Sequence, residues 1–215
     1  MAAEALPESP DGVAVDGSGG CSDLDARVEM LRESNERLRR SNQRLLVERR
    51  RLARLALLDG LTGLPNRRMF DEALDRALVR SRWSGATIGV LLVDLDGFKA
   101  INDTMGHPRA DLALTGFARR LGATVRANDL AARLGGDEFA IVARTIGHPS
   151  ELEVVARRVL VAARAPSPPL PGLSASIGAV ECGAGSDRGA VLRAADDLLY
   201  EAKRAGGDRF VTGRV

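Results

Sequence analysis

Leucines recur at a strict interval of seven near the start of the chain, at Leu24, Leu31, Leu38, Leu45 and Leu52. Val28, Asn35, Asn42 and Arg49 each follow a leucine by four positions. With the leucines at heptad position d, Val28, Asn35 and Asn42 fall at a. That pattern favours a parallel two-stranded coiled coil, because a buried Asn pairs across the dimer and fixes the register at some cost in stability. No Pro or Gly interrupts residues 23–58, so one helix can run through them. The apolar stripe is narrower than a globular face requires.

The period changes after Leu58. DGLTGLPNR at 59–67 places two Gly and a Pro in nine positions and breaks the helix. Phe70, Ala73, Leu74, Ala77 and Leu78 then share one face of a helix predicted from Asn66 to about Arg82. Residues 87–93 read as a buried strand that stops at Asp94. A short helix is expected near Phe98 to Asn102, and a longer one from about Pro108 to Val125 with Pro in its first turn. Strands at 130–134 and 139–144 flank Gly135-Gly136-Asp137-Glu138, a hairpin turn. A helix at 150–164, a loop from Pro166 to Pro171, a strand at 173–180, a helix at 187–205 and a strand near 209–212 complete the chain. Helices and strands alternate around an antiparallel hairpin. The fold class is therefore α/β with a mixed five-stranded sheet on a ferredoxin-like βαββαβ core, preceded by the long coiled-coil helix.

Charge refines this layout. Residues 1–22 carry four acids and no Lys or Arg, and they are rich in Gly, Ser, Pro and Ala, the composition of a disordered acidic tail. Residues 23–58 hold ten Arg against six acids, which leaves 59–215 as the globular domain. A DNA-binding basic zipper would carry its basic segment before the heptads. Here the Arg49–Arg54 run lies within and after them, so no nucleic-acid partner is expected. Two distant Cys and two isolated His exclude a disulfide scaffold and a HExxH zinc site. No apolar run approaches the length that crosses a bilayer, and the acidic start is unlike a signal peptide, so a cytoplasmic protein with no membrane partner is expected. Gly183-Ala184-Gly185 with Gly189 is off by one from a dinucleotide loop and has no supporting βαβ unit.

Candidate chemistry gathers at one place. Asp94 and Asp96 close an apolar strand, and Asp137 and Glu138 occupy the hairpin tip. If that strand and the hairpin are neighbours, three or four carboxylates converge at one edge. Such a cluster repels itself unless a cation is present, and oxygen ligands suit Mg²⁺ or Mn²⁺. Gly135 and Gly136 lack side chains and would let a phosphate chain approach the backbone.

These residues resemble the GGDEF family of diguanylate cyclases. The likeness covers roughly residues 59–208 through DGLTGLPNR (59–67), DLDGFKAIND (94–103), GHPRAD (106–111), RLGGDEFAIV (133–142) and ADDLLYEAK (195–203). It implies a palm-like fold, shared with adenylyl cyclases and polymerases, that joins two GTP into cyclic di-GMP and releases two pyrophosphates. Each subunit of a dimer would hold one GTP and two metal ions, Mg²⁺ or Mn²⁺. By resemblance Asp94, the carbonyl of Leu95 and Asp137 are metal ligands with Glu138 beside them, and Asp137 also matches the base for the 3′-hydroxyl. Asn102 and Asp111 match the guanine readers, His107 a substrate-side position and Phe98 a packing one. Lys99 and Lys203 match phosphate-side positions. Arg126 and Asp129 match the RxxD site where product docks and inhibits, with Arg157 a further contact. One departure stands out: Gly207 lies where the family has an arginine on the triphosphate, with Arg204 and Arg209 the neighbouring candidates to take its place. That departure keeps open a reading as a non-catalytic cyclic di-GMP receptor. The partners implied are GTP, cyclic di-GMP and a second copy joined through the 23–58 coiled coil.

Overall fold

The computed structural model describes residues 18–55, 57–166 and 172–215, and the chain divides after Ala53 into two units. The first is helix α1, Ser18–Leu55. It begins within the expected tail, so residues 18–22 are helical; residues 1–17 lie outside the described residues. Leu31, Leu38 and Leu45 are each about two-thirds exposed (69, 68 and 67%), so the heptad stripe is unburied in a single chain. Pairs Glu33–Arg37 and Glu36–Arg40 support the helix at i, i+4 spacing, as its charge pattern favours.

The second unit is a sheet covered on both faces. Its elements are α2 (Arg67–Ser84), β1 (Thr87–Asp96), α3 (Phe98–Met105), α4 (His107–Thr124), β2 (Leu130–Gly135), β3 (Glu138–Ile146), α5 (Pro149–Arg164), β4 (Ser174–Cys182), α6 (Arg188–Arg204) and β5 (Arg209–Arg214). The strand order is β2-β3-β1-β4-β5. β1 runs antiparallel to both β3 and β4, β2 antiparallel to β3, and β5 parallel to β4, giving the mixed sheet. The ferredoxin-like core expected from the pattern is present, with β5 added at one edge.

Alternation along β1 separates the two cores. Leu91, Val93 and Leu95 face α4 and α5, where Phe117 and Phe139 meet edge to face at 4.9 Å. Ile88 and Val90 face α2 and α6, against Phe70, Leu74, Val191 and Ala195. Every residue of the predicted apolar face of α2 is buried there. Asn66 caps that helix by accepting from the amide of Met69 at 3.2 Å. At Gly178 a Cβ would lie 2.0 Å from the carbonyl oxygen of Ala195, so glycine is what lets α6 lie directly on β4.

Strand β1 continues two residues past Asp94, because Leu95 and Asp96 pair with Ala175 and Ser174 of β4. The apolar run is interrupted at Asp94, and periodicity alone does not carry the strand past a charged residue to Leu95. Of the expected 166–171 loop, residues 167–171 lie outside the described residues. No helix of the described residues is long and apolar enough to cross a membrane.

Candidate active site

Register places the first carboxylates. β1 and β3 are neighbours, and Asp94 stands opposite Glu138. The amide of Leu95 donates to the carbonyl of Asp137 at 3.3 Å, tying the hairpin tip to the end of β1. Gly136 and Asp137 form that tip, since Gly135 pairs with Glu138. Gly136 has φ +53°, the left-handed region, and a Cβ there would meet only open space. The glycine is thus demanded by backbone conformation, and it also leaves the tip bare on its outer side.

Two arginines lock the hairpin: Arg67, from α2, and Arg133, on β2, which ties the tip to the turn before α2. Arg133 donates to the Gly136 carbonyl through Nε at 3.0 Å and Nη2 at 2.7 Å. Its Nη1 lies 2.9 Å from Asp59 Oδ1, with the two side chains only 10% and 23% exposed. Asp59 also accepts from the amide and hydroxyl of Thr62. Desolvation works against the Asp59 carboxylate, but the bonds from Thr62 and Arg133 outweigh it and hold its pKa below the usual value. Arg67 reaches Leu134 O and Glu138 Oε2, both at 3.2 Å. Both motifs were visible in the sequence, but neither link was. Asp59 and Arg133 are 74 residues apart, and only the register of β2 and the turn at 59–63 brings them together.

Asp94 has the most telling electrostatics. Partial burial raises its pKa, and the charges of Asp137 and Asp96 push the same way; Lys203 opposes them. Lys203 Nζ, on α6, sits 2.7 Å from Asp94 Oδ2. Acids do gather at this edge, since the charges of Asp96 and Asp137 act on Asp94, but Asp96 has partners of its own. Asp96 accepts from Ser176 Oγ at 2.6 Å and from the amide of Asp208 at 2.9 Å, so it ties β1 to β4 and to the loop after α6. Among the described residues no three His, Cys, Asp or Glu side chains are grouped as a metal cage. At this edge stand Asp94 and, opposite it in the register, Glu138, with Asp137 tied to the Leu95 amide.

Phe98 and Lys99 open α3, Phe98 packed partly against the core and Lys99 exposed. On the same helix Asn102 Oδ1 is buried and has no hydrogen-bond partner among the described residues. An acceptor left without a donor in a protein interior is costly, so this oxygen is suited to a ligand N–H. α4 follows after the single residue Gly106 (φ +79°), and His107 and Asp111 in its first turns are exposed. Gly207 (φ +71°) stands where the arginine was expected, and a Cβ there would meet Asp96 Oδ2 at 3.0 Å. Both neighbouring arginines have contacts of their own. Arg209 Nε donates to the Gly207 carbonyl at 3.1 Å, and Arg204 lies over the Tyr200 ring at 5.8 Å.

The second cluster starts in the segment between α4 and β2, at the end of β2 away from the hairpin tip. Arg126 Nη1 pairs with Glu151 Oε2 at 3.2 Å. Asp129 accepts the amides of Arg144 (Oδ1, 3.1 Å) and Arg126 (Oδ2, 3.3 Å). Arg157, on α5, pairs with Glu153 at 3.7 Å and lies 5.2 Å over the Phe210 ring.

Residues 56–209 match the family described as diguanylate cyclase, GGDEF domain. The chain is 39% identical over 189 residues to the bifunctional diguanylate cyclase/cyclic di-GMP phosphodiesterase MucR of Pseudomonas aeruginosa, a match covering 86% of this chain and 26% of MucR. It therefore spans about a quarter of that relative's length. Among solved structures, the diguanylate cyclase SiaD in complex with its activator SiaC from Pseudomonas aeruginosa is similar at TM-score 0.71 and 30% identity, covering 91% of this chain and 78% of that one. The coiled coil and GGDEF domain of DgcB from Caulobacter crescentus, in complex with c-di-GMP, is similar at TM-score 0.66 and 30% identity, covering 91% and 98%. Fold, hairpin and sequence agree: the chain belongs to the GGDEF diguanylate cyclase family.

Proposed function

We propose that this chain is a diguanylate cyclase that condenses two GTP into cyclic di-GMP with release of two pyrophosphates. The observation that carries the reading is the pairing of Asp94 against Glu138, next to the Gly136-Asp137 tip that the Leu95 amide holds, with a cationic group already drawn to Asp94. In each half-reaction the 3′-oxygen of one GTP bonds to the α-phosphorus of the other. The α–β bridging P–O bond breaks, pyrophosphate departs, and the hydroxyl proton passes to the carboxylate of Asp137.

The oxygen donors fit a hard divalent cation. Two carboxylates and a carbonyl leave room for water and phosphate oxygens, the shell Mg²⁺ or Mn²⁺ prefers, and a bound cation would offset the burial that raises the Asp94 pKa. Asp94, the Leu95 carbonyl and Asp137 would hold two such ions with Glu138 beside them; when bound, they ionise the attacking hydroxyl and offset charge on the leaving group. Lys203 and Lys99 take the phosphates, and the bare Gly135-Gly136 backbone admits them closely. Asn102 Oδ1 accepts from a guanine N–H, and Asp111 from the N1–H and 2-amino edge. An unpaired Asp111 facing adenine is penalised, which selects GTP over ATP. With Gly207 in place of the arginine, the triphosphate is held less tightly than in relatives that carry it.

Two half-sites must meet, so the reading includes a homodimer joined by a parallel coiled coil over 23–58, with residues 1–22 as an acidic tail and 59–215 as the catalytic domain. A zipper raises the effective concentration of one half-site at the other. Arg126, Asp129 and Arg157 form a product site whose occupation inhibits the enzyme. An Arg fork suits guanine O6 and N7, and a carboxylate suits its N1–H. A cytoplasmic setting supplies GTP and keeps two isolated Cys reduced.

The test is full-length chain, stripped of nucleotide, given GTP and Mg²⁺ with products separated by chromatography and mass. Cyclic di-GMP that forms, and disappears in Asp137→Ala, supports the enzyme. No product from the unaltered chain, with tight cyclic di-GMP binding lost in Arg126→Ala, would make it a receptor and implicate Gly207.

A further inference from the structure

Each arginine of the second cluster has a glutamate of α5 on it. The Arg126–Glu151 contact is the closer, at 3.2 Å, and the Glu151 side chain is two-thirds covered, against 61% exposure for Arg126. The Arg157–Glu153 pair is an ordinary i, i+4 contact at 3.7 Å, and the Arg157 guanidinium has the Phe210 ring as a second support. Asp129 is held by two backbone amides, one on each oxygen, and each oxygen keeps a lone pair for another donor. The acceptor of this face is therefore fixed and ready, whereas its principal donor is engaged.

Resting on the product-site reading above, we infer that Glu151 is a built-in competitor for Arg126 that sets how tightly this face binds cyclic di-GMP. The phosphodiester and guanine edge of that ligand both need the Arg126 fork, and a carboxylate on the fork must give way before either can bind. The carboxylate also repels the incoming phosphates. Glu151 does not block the site, because a partly exposed ion pair is a weak contact that exchanges readily. It raises the product concentration at which feedback begins. Glu153 has little such effect, since its contact is longer and more exposed and Arg157 keeps the ring of Phe210.

The experiment is a calorimetric titration of cyclic di-GMP into the full-length, nucleotide-stripped chain and into Glu151→Gln, Glu153→Gln, Arg126→Ala and the double variant Arg126→Ala/Glu151→Gln. The isosteric Gln at an accessible first-turn position preserves the fold, which an unchanged circular dichroism spectrum verifies. Glu151→Gln should tighten binding about three- to tenfold, the span expected for one partly exposed ion pair plus lost repulsion. Glu153→Gln should stay within about twofold, and the double variant should bind no better than Arg126→Ala. Binding by Glu151→Gln equal to or weaker than that of the unaltered chain overturns the competition while leaving the product site standing. So does a gain from Glu151→Gln that persists without Arg126, because that would be general charge repulsion. No binding by the unaltered chain, or binding indifferent to Arg126→Ala, removes the product site itself and this inference with it.

Discussion

The hairpin end of the domain and the Arg126 face carry similar residue types, acids beside bases, yet they are built on opposite principles. At the hairpin, groups are held with capacity unspent. Asn102 Oδ1 is buried without a donor among the described residues, burial resists the charge of Asp94 even with Lys203 beside it, and a Cβ on Gly136 would meet only open space. At the Arg126 face every named side chain already has a partner within the chain. The first arrangement is suited to stabilising a charge that appears briefly, because the dipoles are set before it arrives. The second is suited to reversible occupation, because each contact a ligand makes replaces one of similar strength. On the proposed reading, the catalytic end is left incomplete until substrate arrives, and the product face must exchange one partner for another.

The contrast is broken most severely by removing an acid at the tip. Asp137→Ala should lower cyclic di-GMP formation by roughly three orders of magnitude, as loss of a group acting on the transition state does. The same variant should bind cyclic di-GMP at the Arg126 face unchanged in a calorimetric titration. Arg133→Ala should come next, since it strands the largely buried Asp59 carboxylate and unties Gly136. A cost of about 2–3 kcal/mol is expected, somewhat under that of a wholly buried pair, and read as a lower urea midpoint. Asp94→Asn should move stability the other way. Relieving a carboxylate that resists ionisation should raise the melting temperature of the nucleotide-free chain, by about 1 kcal/mol in stability, while activity is lost.

A finer distinction comes from pH. The Asp59 pKa is held below its ordinary 3.8, so its contribution is complete above that value and is lost as pH falls through its lowered folded one. Asp94 is shifted upward, so its effect has the opposite sign: stability declines as pH rises from 3.8 through its raised folded value. Unfolding followed across the acid range should therefore show the low-pH loss diminished in Asp59→Asn and the decline on raising pH diminished in Asp94→Asn. Identical profiles for both variants would remove the assigned difference between them.

Much of this was legible in advance for a physical reason. The apolar face of α2 and the alternation of β1 are local patterns, and a period of 3.6 or 2 declares them without reference to the rest of the chain. The hairpin was readable because Gly135-Gly136 interrupts two β-rich runs. What escaped were ties between distant elements. Nothing near Arg133 in the sequence points to Asp59, nothing near Asp96 points to Ser176, and nothing near Arg126 points to Glu151; each meeting is fixed by strand register or helix packing. The departure at Gly207 was visible, but its consequence was not. The left-handed backbone and the nearby Asp96 carboxyl show that an arginine there would be strained and would crowd Asp96.

The position of β1 has a consequence for the newborn chain. It lies at the centre of the sheet, yet it is the first strand made, and both its neighbours come later: β3 begins at Glu138 and β4 at Ser174. Throughout that interval during synthesis, a strand of Ile, Val and Leu has at least one flank with unsatisfied amides and carbonyls, the geometry through which foreign strands add. Contacts across so long a loop form slowly. Chaperone demand and aggregation on overproduction should therefore concentrate on Thr87–Asp96, and the carboxylate that closes this strand acquires its surroundings only when β4 has arrived.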